Sequence, residues 1–221
     1  MKTDIIASWE KNASEWIKVI QNNSIPSRKF TNVAITETVR GLSGKKMVDI
    51  GCGEGWLTRE VGKMGWEATG LDAIESLILE AQNKSSDSFY VFTYEAIIAG
   101  KSIPNAPFDL AVFNFCLYLK DGLRPLLENT LKNISKKGAI VIQTLHPFFL
   151  VQNKMPYKSQ WLSDSWKGLP GNFEDGHSWY ARTLEDWINE LNALENISFS
   201  IQEVVNDEKQ PISLIIKITK P

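Results

Sequence analysis

The segment from Lys46 to Trp56 constrains the fold of this chain more than any other stretch. It reads KMVDIGCGEGW, which is a short apolar run followed by three alternating glycines. Leu57, Val61 and Met64 then recur at helical spacing, so the glycines form the turn between a buried parallel strand and a helix. Glycine lets a ligand lie directly against the backbone, where the ligand also meets the amide donors of the next helix. The segment therefore predicts a cradle for a nucleotide-type cofactor.

The spacing of the glycines bears on which cofactor is bound. A dinucleotide fingerprint has the form G-x-G-x-x-G, whereas here Trp56 stands where its third glycine is needed. Asp49 lies two places before the first glycine, at the end of the strand. A buried carboxylate there needs a partner, and a cofactor with an ammonium group supplies one. A nicotinamide cofactor stays an alternative that the spacing disfavours.

Residues 48–55, VDIGCGEG, closely resemble the first motif of the class I S-adenosylmethionine (SAM)-dependent methyltransferases. The resemblance is specific over about residues 46–143 and weaker in the last third of the chain. It implies SAM as the cofactor, S-adenosylhomocysteine (SAH) as its product, and a Rossmann-like α/β fold. It also implies cofactor contacts from the motif itself: Asp49, Gly51, Cys52, Gly53 and Gly55.

Three later segments match further motifs of this family. Asp72 ends the second strand, about 20 residues after the first glycine, where a carboxylate reaches the ribose hydroxyls of a nucleoside; dehydrogenases use the same device. The segment FDLAVFN has the form of the fourth motif and lacks the prolines of nucleobase methyltransferases, which counts against a nucleobase substrate. The resemblance implies cofactor contacts from Asp72, Ala73, Tyr94, Glu95, Asn114 and Phe115. The family often has Asp or Asn where this chain has Tyr94 and Glu95.

The first part of the chain predicts an N-terminal helical cap, residues 1–44. One amphipathic helix extends from about Asp4 to Gln21, with Trp9 and Trp16 on its apolar face. These rings either pack against the body or also wall a ligand site. Arg28, in the linker to a second helix, is either solvated or a candidate for the cofactor carboxylate through a charge-assisted fork.

Residues 146–181 show almost no regular periodicity but contain many aromatic residues. Loops this long are functional or disordered, and the aromatic content argues against disorder. We expect a substrate-binding lid, called the lid segment below; the alternative is an aromatic loop that only shields the sheet. Both histidines of the chain lie here. If the acceptor is a hydroxyl, His146 is the first candidate for the base and His177 the second; the alternative is that His146 fixes a turn.

Beyond the lid segment, a capping box opens another helix, and two alternating apolar runs then form a hairpin. The expected fold is a single α/β domain over residues 1–221, a doubly wound seven-stranded sheet that is mostly parallel with an antiparallel strand in the C-terminal hairpin. A net charge of −2 gives no support for a nucleic-acid partner. The sequence shows no secretory signal pattern and no membrane-length apolar run. Its two cysteines suit a reducing compartment, so we predict a cytoplasmic protein.

These patterns together predict SAM-dependent methyl transfer to a small-molecule acceptor through oxygen or nitrogen. No metal-binding motif is predicted, and neither the acceptor nor the oligomeric state follows from the sequence. Two alternatives remain, which are a nicotinamide-dependent oxidoreductase and a SAM-binding protein without catalysis.

Overall fold

A computed structural model describes the backbone of residues 2–220 and the side chains of residues 5–220. The helices are α1 (Lys2–Gln21), α2 (Arg28–Arg40), α3 (Trp56–Lys63), α4 (Glu75–Lys84), α5 (Tyr94–Ile98), α6 (Leu123–Lys132), α7 (Phe148–Gln152) and α8 (Leu184–Asn192). The strands are β1 (Lys46–Ile50), β2 (Glu67–Asp72), β3 (Ser88–Val91), β4 (Phe108–Asn114), β5 (Ile134–Leu145), β6 (Gln160–Leu162), β7 (Trp179–Ala181), β8 (Ser198–Val205) and β9 (Pro211–Thr219).

Seven strands form one sheet in the order β3-β2-β1-β4-β5-β9-β8. The pairs among β3, β2, β1, β4 and β5 are parallel, and β9 is antiparallel to both of its neighbours. The predicted fold class, a mostly parallel seven-stranded sheet with an antiparallel strand in its final hairpin, is confirmed. Strands β6 and β7 pair separately within the lid segment.

Helices cover both faces of the sheet because the central strands are apolar on both sides. In β4, Leu110 and Val112 pack with α2 and α3, whereas Ala111 and Phe113 pack with α5, α6 and α8. The chain leaves β1 toward the face that carries α3, and it leaves the neighbouring β4 toward the face that carries α6. Where neighbouring connections diverge in this way, a crevice opens at the carboxyl ends of the strands. The fold thereby places the glycine loop, residues 51–55, at the mouth of this crevice.

The first helix lies across the same edge of the sheet. Its Ala13 packs with Leu77 of α4. Its Glu10 accepts hydrogen bonds from the Glu75 amide (3.0 Å) and the Ser76 hydroxyl (2.8 Å) at the start of α4. Since α4 begins just after the carboxyl end of β2, α1 stands over that end of the sheet.

Two segments are more regular than the sequence pattern indicates. Strand β5 extends back from the apolar run after Gly138 to Ile134, because Ile134 pairs with Phe108 before a register shift. The lid segment contains α7 and the β6–β7 pair rather than irregular loop alone. Over residues 2–220, no helix combines the length and the apolar character needed to cross a membrane.

Candidate functional site

The backbone of the glycine loop is bonded within the protein. The amides of Gly51 and Cys52 both donate to the carbonyl oxygen of Leu71, at 2.7 and 2.9 Å. The Gly53 amide donates to Asp72 Oδ2 (2.8 Å), and the Gly55 amide donates to the Cys52 carbonyl (3.0 Å). A dinucleotide pyrophosphate needs free amides at such a turn, and these four are already satisfied. These four loop amides therefore offer a ligand close approach rather than donors; contact with the amides at the start of α3, which the sequence suggested, stays a prediction.

Two of the glycines are required for steric reasons. Gly51 has a φ of 81°, and a Cβ on it would lie 2.6 Å from the Cβ of Cys116. Gly55 has a φ of 78°, and a Cβ on it would lie 2.7 Å from the Phe89 ring. Both positions combine a left-handed backbone with a contact that excludes any side chain. The close turn between β1 and α3 therefore depends on the glycines.

Asp49 is buried beneath the loop, with 1% of its surface exposed. The Thr58 hydroxyl donates to its Oδ2 at 2.9 Å, which ties the end of β1 to α3. Burial raises the pKa of Asp49 to about 7, since a carboxylate is poorly solvated there. Thr58 is thus a partner that the sequence reasoning missed, and contact between Asp49 and a cofactor ammonium stays a prediction.

Asp72 lies at the carboxyl end of β2 and holds the loop in place. Its Oδ2 accepts from the Gly53 amide, and its Oδ1 accepts from the Ile74 amide at 3.0 Å. Burial raises the pKa of Asp72 to about 6. Each carboxylate oxygen retains further acceptor capacity, so Asp72 can still receive the hydroxyls of a ribose. Ala73 stands between Asp72 and Ile74 at the turn into α4.

Tyr94 and two thiols line the other side of the loop. The Tyr94 hydroxyl donates to the Cys116 carbonyl (3.1 Å) and lies beside Gly51. Burial raises the pKa of the Cys52 thiol well above its usual value and that of Cys116 to about 12. Both cysteines are therefore neutral packing groups rather than nucleophiles. Glu95, the next residue of α5, is also bonded within the protein.

Asn114 ends β4 beside the glycine loop, and Phe115 turns the chain away with a φ of 52°. The Asn114 side chain forms no hydrogen bond among the described residues, and its Oδ1 is buried. A buried amide oxygen without a donor is costly. Asn114 is therefore in a position to receive a ligand.

Arg28 begins α2 at the mouth of the crevice. Its guanidinium lies over the Trp56 ring, 4.6 Å from the centroid. Burial lowers the pKa of Arg28, and the nearby Glu54 carboxylate opposes that shift. Within residues 5–220, stacking on Trp56 is the contact that holds this guanidinium, and its fork of donors forms no hydrogen bond. This geometry suits a carboxylate ligand.

An aromatic cluster joins the glycine loop to the lid segment; its members are Trp9, Trp16, Tyr118, Trp166 and His177. Trp16 Nε1 lies 3.6 Å from the position of a Cβ on Gly53. The Trp9 ring centroid is 5.2 Å from Trp16, 4.6 Å from Trp166 and 6.5 Å from Tyr118. The structure therefore brings both tryptophans of α1 to the candidate site.

The two histidines have different environments. In His146, Nδ1 accepts from the Phe148 amide (3.0 Å), so Nε2 carries the hydrogen that it donates to Glu203 Oε1 at 2.9 Å. Both nitrogens of His146 are thus occupied at the turn after β5. In His177, Nδ1 bonds the Ser165 hydroxyl (2.9 Å), and the buried Nε2 has no hydrogen-bond partner among the described residues.

Burial lowers the pKa of His177 to about 4, so its ring is neutral at physiological pH. Its ring centroid lies 5.1 Å from Tyr118 and 5.6 Å from Trp166. The sequence favoured His146 over His177 as the base. The geometry favours the reverse order, because among the described residues only His177 has a ring nitrogen without a hydrogen-bond partner, and its ring contacts other members of the aromatic cluster. Both roles stay predictions.

Side-chain bonds fasten α1 to the lid segment. Asn12 donates to the Glu174 carbonyl (2.7 Å) and accepts from the Glu174 amide (2.9 Å). Ser8 donates to the Asp175 carbonyl (2.7 Å), and Trp166 Nε1 donates to the Ser8 hydroxyl (3.0 Å). Two segments far apart in the chain are therefore fastened to each other; that they cover a bound cofactor and acceptor stays a prediction.

The residues at this crevice fit a SAM-type cofactor better than a dinucleotide. Asp72 retains capacity for ribose hydroxyls, the guanidinium of Arg28 is available for a carboxylate, and the Asn114 side chain has no hydrogen-bond partner within residues 5–220. The four loop amides, in contrast, are unavailable to a pyrophosphate. The cofactor contacts of individual residues stay predictions, including those of Ala73, Glu95 and Phe115.

Comparison with known proteins agrees with this geometry. A family model described as a methyltransferase domain matches residues 12–197. A ubiquinone biosynthesis O-methyltransferase from Methylococcus capsulatus is 40% identical over 58 residues, which span 26% of this chain and 24% of that protein. A demethylmenaquinone methyltransferase from Tropheryma whipplei is 20% identical over 162 residues, or 73% of this chain and 66% of that protein.

Among solved structures, the complex of DhpI with SAM and HEP superposes with a TM-score of 0.71. The alignment covers 99% of this chain and 97% of DhpI at 18% sequence identity, so it supports the fold. The family model extends over most of the chain and confirms the resemblance that the glycine motif indicated. The chain belongs to the methyltransferase-domain family.

Proposed function

We propose that this protein transfers a methyl group from SAM to a small-molecule acceptor through oxygen or nitrogen. The observation that supports this most is the crevice in which Asp72, Arg28 and Asn114 retain bonding capacity beside a glycine loop with four of its five amides occupied. Family membership favours the same reaction. We assign the ribose hydroxyls to Asp72 and the amino-acid carboxylate to Arg28.

The bound cofactor would supply an activated sulfonium, so the protein's task is to align the acceptor and to exclude water. In this proposal α1 and α2 form the N-terminal cap over the cofactor, and the lid segment covers the acceptor. The bonds from Ser8 and Asn12 to residues 174 and 175 support a cover that acts as one unit. The acceptor would lie against the aromatic cluster.

We further propose that the acceptor is a small aromatic compound. The half-buried rings of Trp9 and Tyr118 offer flat apolar surfaces suited to offset stacking or edge contacts. Trp166 is buried and stacked on Phe173, and it supports Trp9 from behind. His177 Nε2 is the polar atom that would orient a hydroxyl or an amine among them. The two relatives named above are a ubiquinone biosynthesis O-methyltransferase and a demethylmenaquinone methyltransferase, and their association with quinones agrees with a ring-shaped acceptor.

A SAM-turnover assay tests this function. Purified protein is incubated with SAM and, separately, with a set of phenols and a set of arylalkylamines, and SAH formation is measured by chromatography. The proposal predicts that at least one set raises SAH formation above the acceptor-free blank. SAM binding without SAH formation from either set would refute the aromatic acceptor.

A further inference from the structure

Two buried amide oxygens on adjacent strands have no hydrogen-bond donor among the described residues, namely Asn114 Oδ1 and Gln143 Oε1. The two residues are paired in the register of β4 and β5. Gln143 is 1% exposed. A buried acceptor left without a partner costs roughly 1 to 3 kcal/mol, so this oxygen pair is a candidate binding site.

The orientation of Gln143 is fixed by its nitrogen. Nε2 donates to the Thr31 carbonyl of α2 (3.1 Å) and to the Ser213 hydroxyl of β9 (3.2 Å). Turning the amide over would place its oxygen against the Thr31 carbonyl, where neither atom can donate. The unpartnered atom of Gln143 is therefore the oxygen.

The strand register places the oxygen pair next to the glycine loop. Val112 is paired with both Asp49 of β1 and Val141 of β5. Side chains two residues apart on a strand share a face. The row beyond Val112 therefore contains Asn114 and Gln143, on the face that carries α2 and one row past Asp49. Gly51 follows the end of β1, and its Cβ position lies against Cys116 and Tyr94 instead. Arg28 lies about one helical turn before Thr31 on that helix.

We propose that the oxygen pair, rather than Asp49, whose carboxyl already accepts from Thr58, binds the ammonium group of the cofactor's amino-acid end. A primary ammonium has three donors, and its hydrogen bonds to neutral oxygens are stronger than those of an uncharged donor. Arg28, near the same row, receives the carboxylate of that amino-acid end. Gln143, which no sequence motif assigns to the site, thereby becomes a cofactor-positioning residue. This proposal rests on the proposed SAM-binding function.

Calorimetry with two ligands tests the proposal. SAH carries the amino-acid end, whereas 5′-methylthioadenosine has the same nucleoside without it. Asn114→Ala and Gln143→Met should each weaken SAH binding by roughly tenfold or more, and the affinity for 5′-methylthioadenosine should stay within about twofold. Asn114→Ala removes no hydrogen bond among the described residues, so it carries the test even if Gln143→Met fails to fold.

A control variant separates ligand contact from helix anchoring. Ser213→Ala removes one acceptor of the Gln143 nitrogen but leaves the oxygen pair in place, so both affinities should be unchanged. An equal loss for the two ligands, or an unchanged affinity for SAH in Asn114→Ala, would overturn the assignment. If the wild type bound neither ligand, the proposed function would fail instead.

Discussion

The hydrogen bond from Thr58 to Asp49 should stabilise the protein to an extent that depends on pH. Burial raises the pKa of Asp49 to about 7, whereas an aspartate in an unfolded chain titrates near pH 3.9. Between these values the native state holds a proton that the unfolded state has lost. The free energy of unfolding attributable to Asp49 is therefore greatest below about pH 4 and falls as the pH rises to about 7.

Thr58→Val replaces the hydroxyl by a methyl group at a site with no exposed surface. At pH 8 Asp49 is mostly ionised, and loss of a hydrogen bond to a charged group should lower the free energy of unfolding by roughly 1.5 to 3 kcal/mol. At pH 5 Asp49 is protonated, so the loss should be about 1 kcal/mol. The difference between the losses at the two pH values means that Thr58→Val should raise the pKa of Asp49 by about one further unit.

Urea unfolding of both proteins at pH 5 and pH 8 measures this difference. Thr130→Val is the matched control, because Thr130 is also fully buried and its hydroxyl donates only to the Leu126 carbonyl of its own helix, at 2.8 Å. Its cost should be the same at both pH values. If Thr58→Val also cost the same at pH 5 and pH 8, the assigned link between Thr58 and the ionisation of Asp49 would be wrong.

Three further substitutions test the assigned roles. Asp72→Ala should weaken SAH binding by roughly 1 to 3 kcal/mol in calorimetry; loss of the fold without a separable loss of binding would make the acid structural. Arg28→Met should weaken SAH binding by roughly tenfold, while Arg40→Met, an exposed arginine of the same helix, should leave it unchanged; equal losses would refute the carboxylate contact. Once an acceptor is identified, His177→Asn should lower the single-turnover rate by roughly 10²-fold and remove the acidic limb of the pH–rate profile near pH 4. His146→Asn should lower only the melting temperature. The reverse pattern would restore His146 as the base.

Much of the fold follows from local patterns in the sequence. The strands β1 and β4 are short, mostly apolar runs. A strand of this kind, buried on both faces, can be identified from its own residues alone. The glycine motif likewise fixes the turn after β1, since Gly51 and Gly55 adopt backbone conformations that exclude side chains. These features depend on residues that are close together in the chain.

The candidate site was less predictable because its contacts join distant segments. In the sequence, the residue after His146 is Pro147, which says nothing about the partners of the imidazole. In the structure that ring is hydrogen-bonded to Glu203, on β8. Whether a histidine nitrogen is free depends on such tertiary partners. Gln143 carried a weak signal, as a single amide within an apolar strand, yet its unpaired oxygen follows only from where α2 and β9 place its nitrogen.

The identity of the cofactor tests the account most directly. Isothermal titration of the folded wild-type protein with SAM, SAH and NADH separates the two nucleotide chemistries in one experiment. We expect SAM or SAH to bind with low micromolar affinity or better, on the order of −8 kcal/mol, and NADH to give no binding heat. Binding of NADH without binding of SAM or SAH would contradict the assignment of the glycine loop, Asp72 and Arg28.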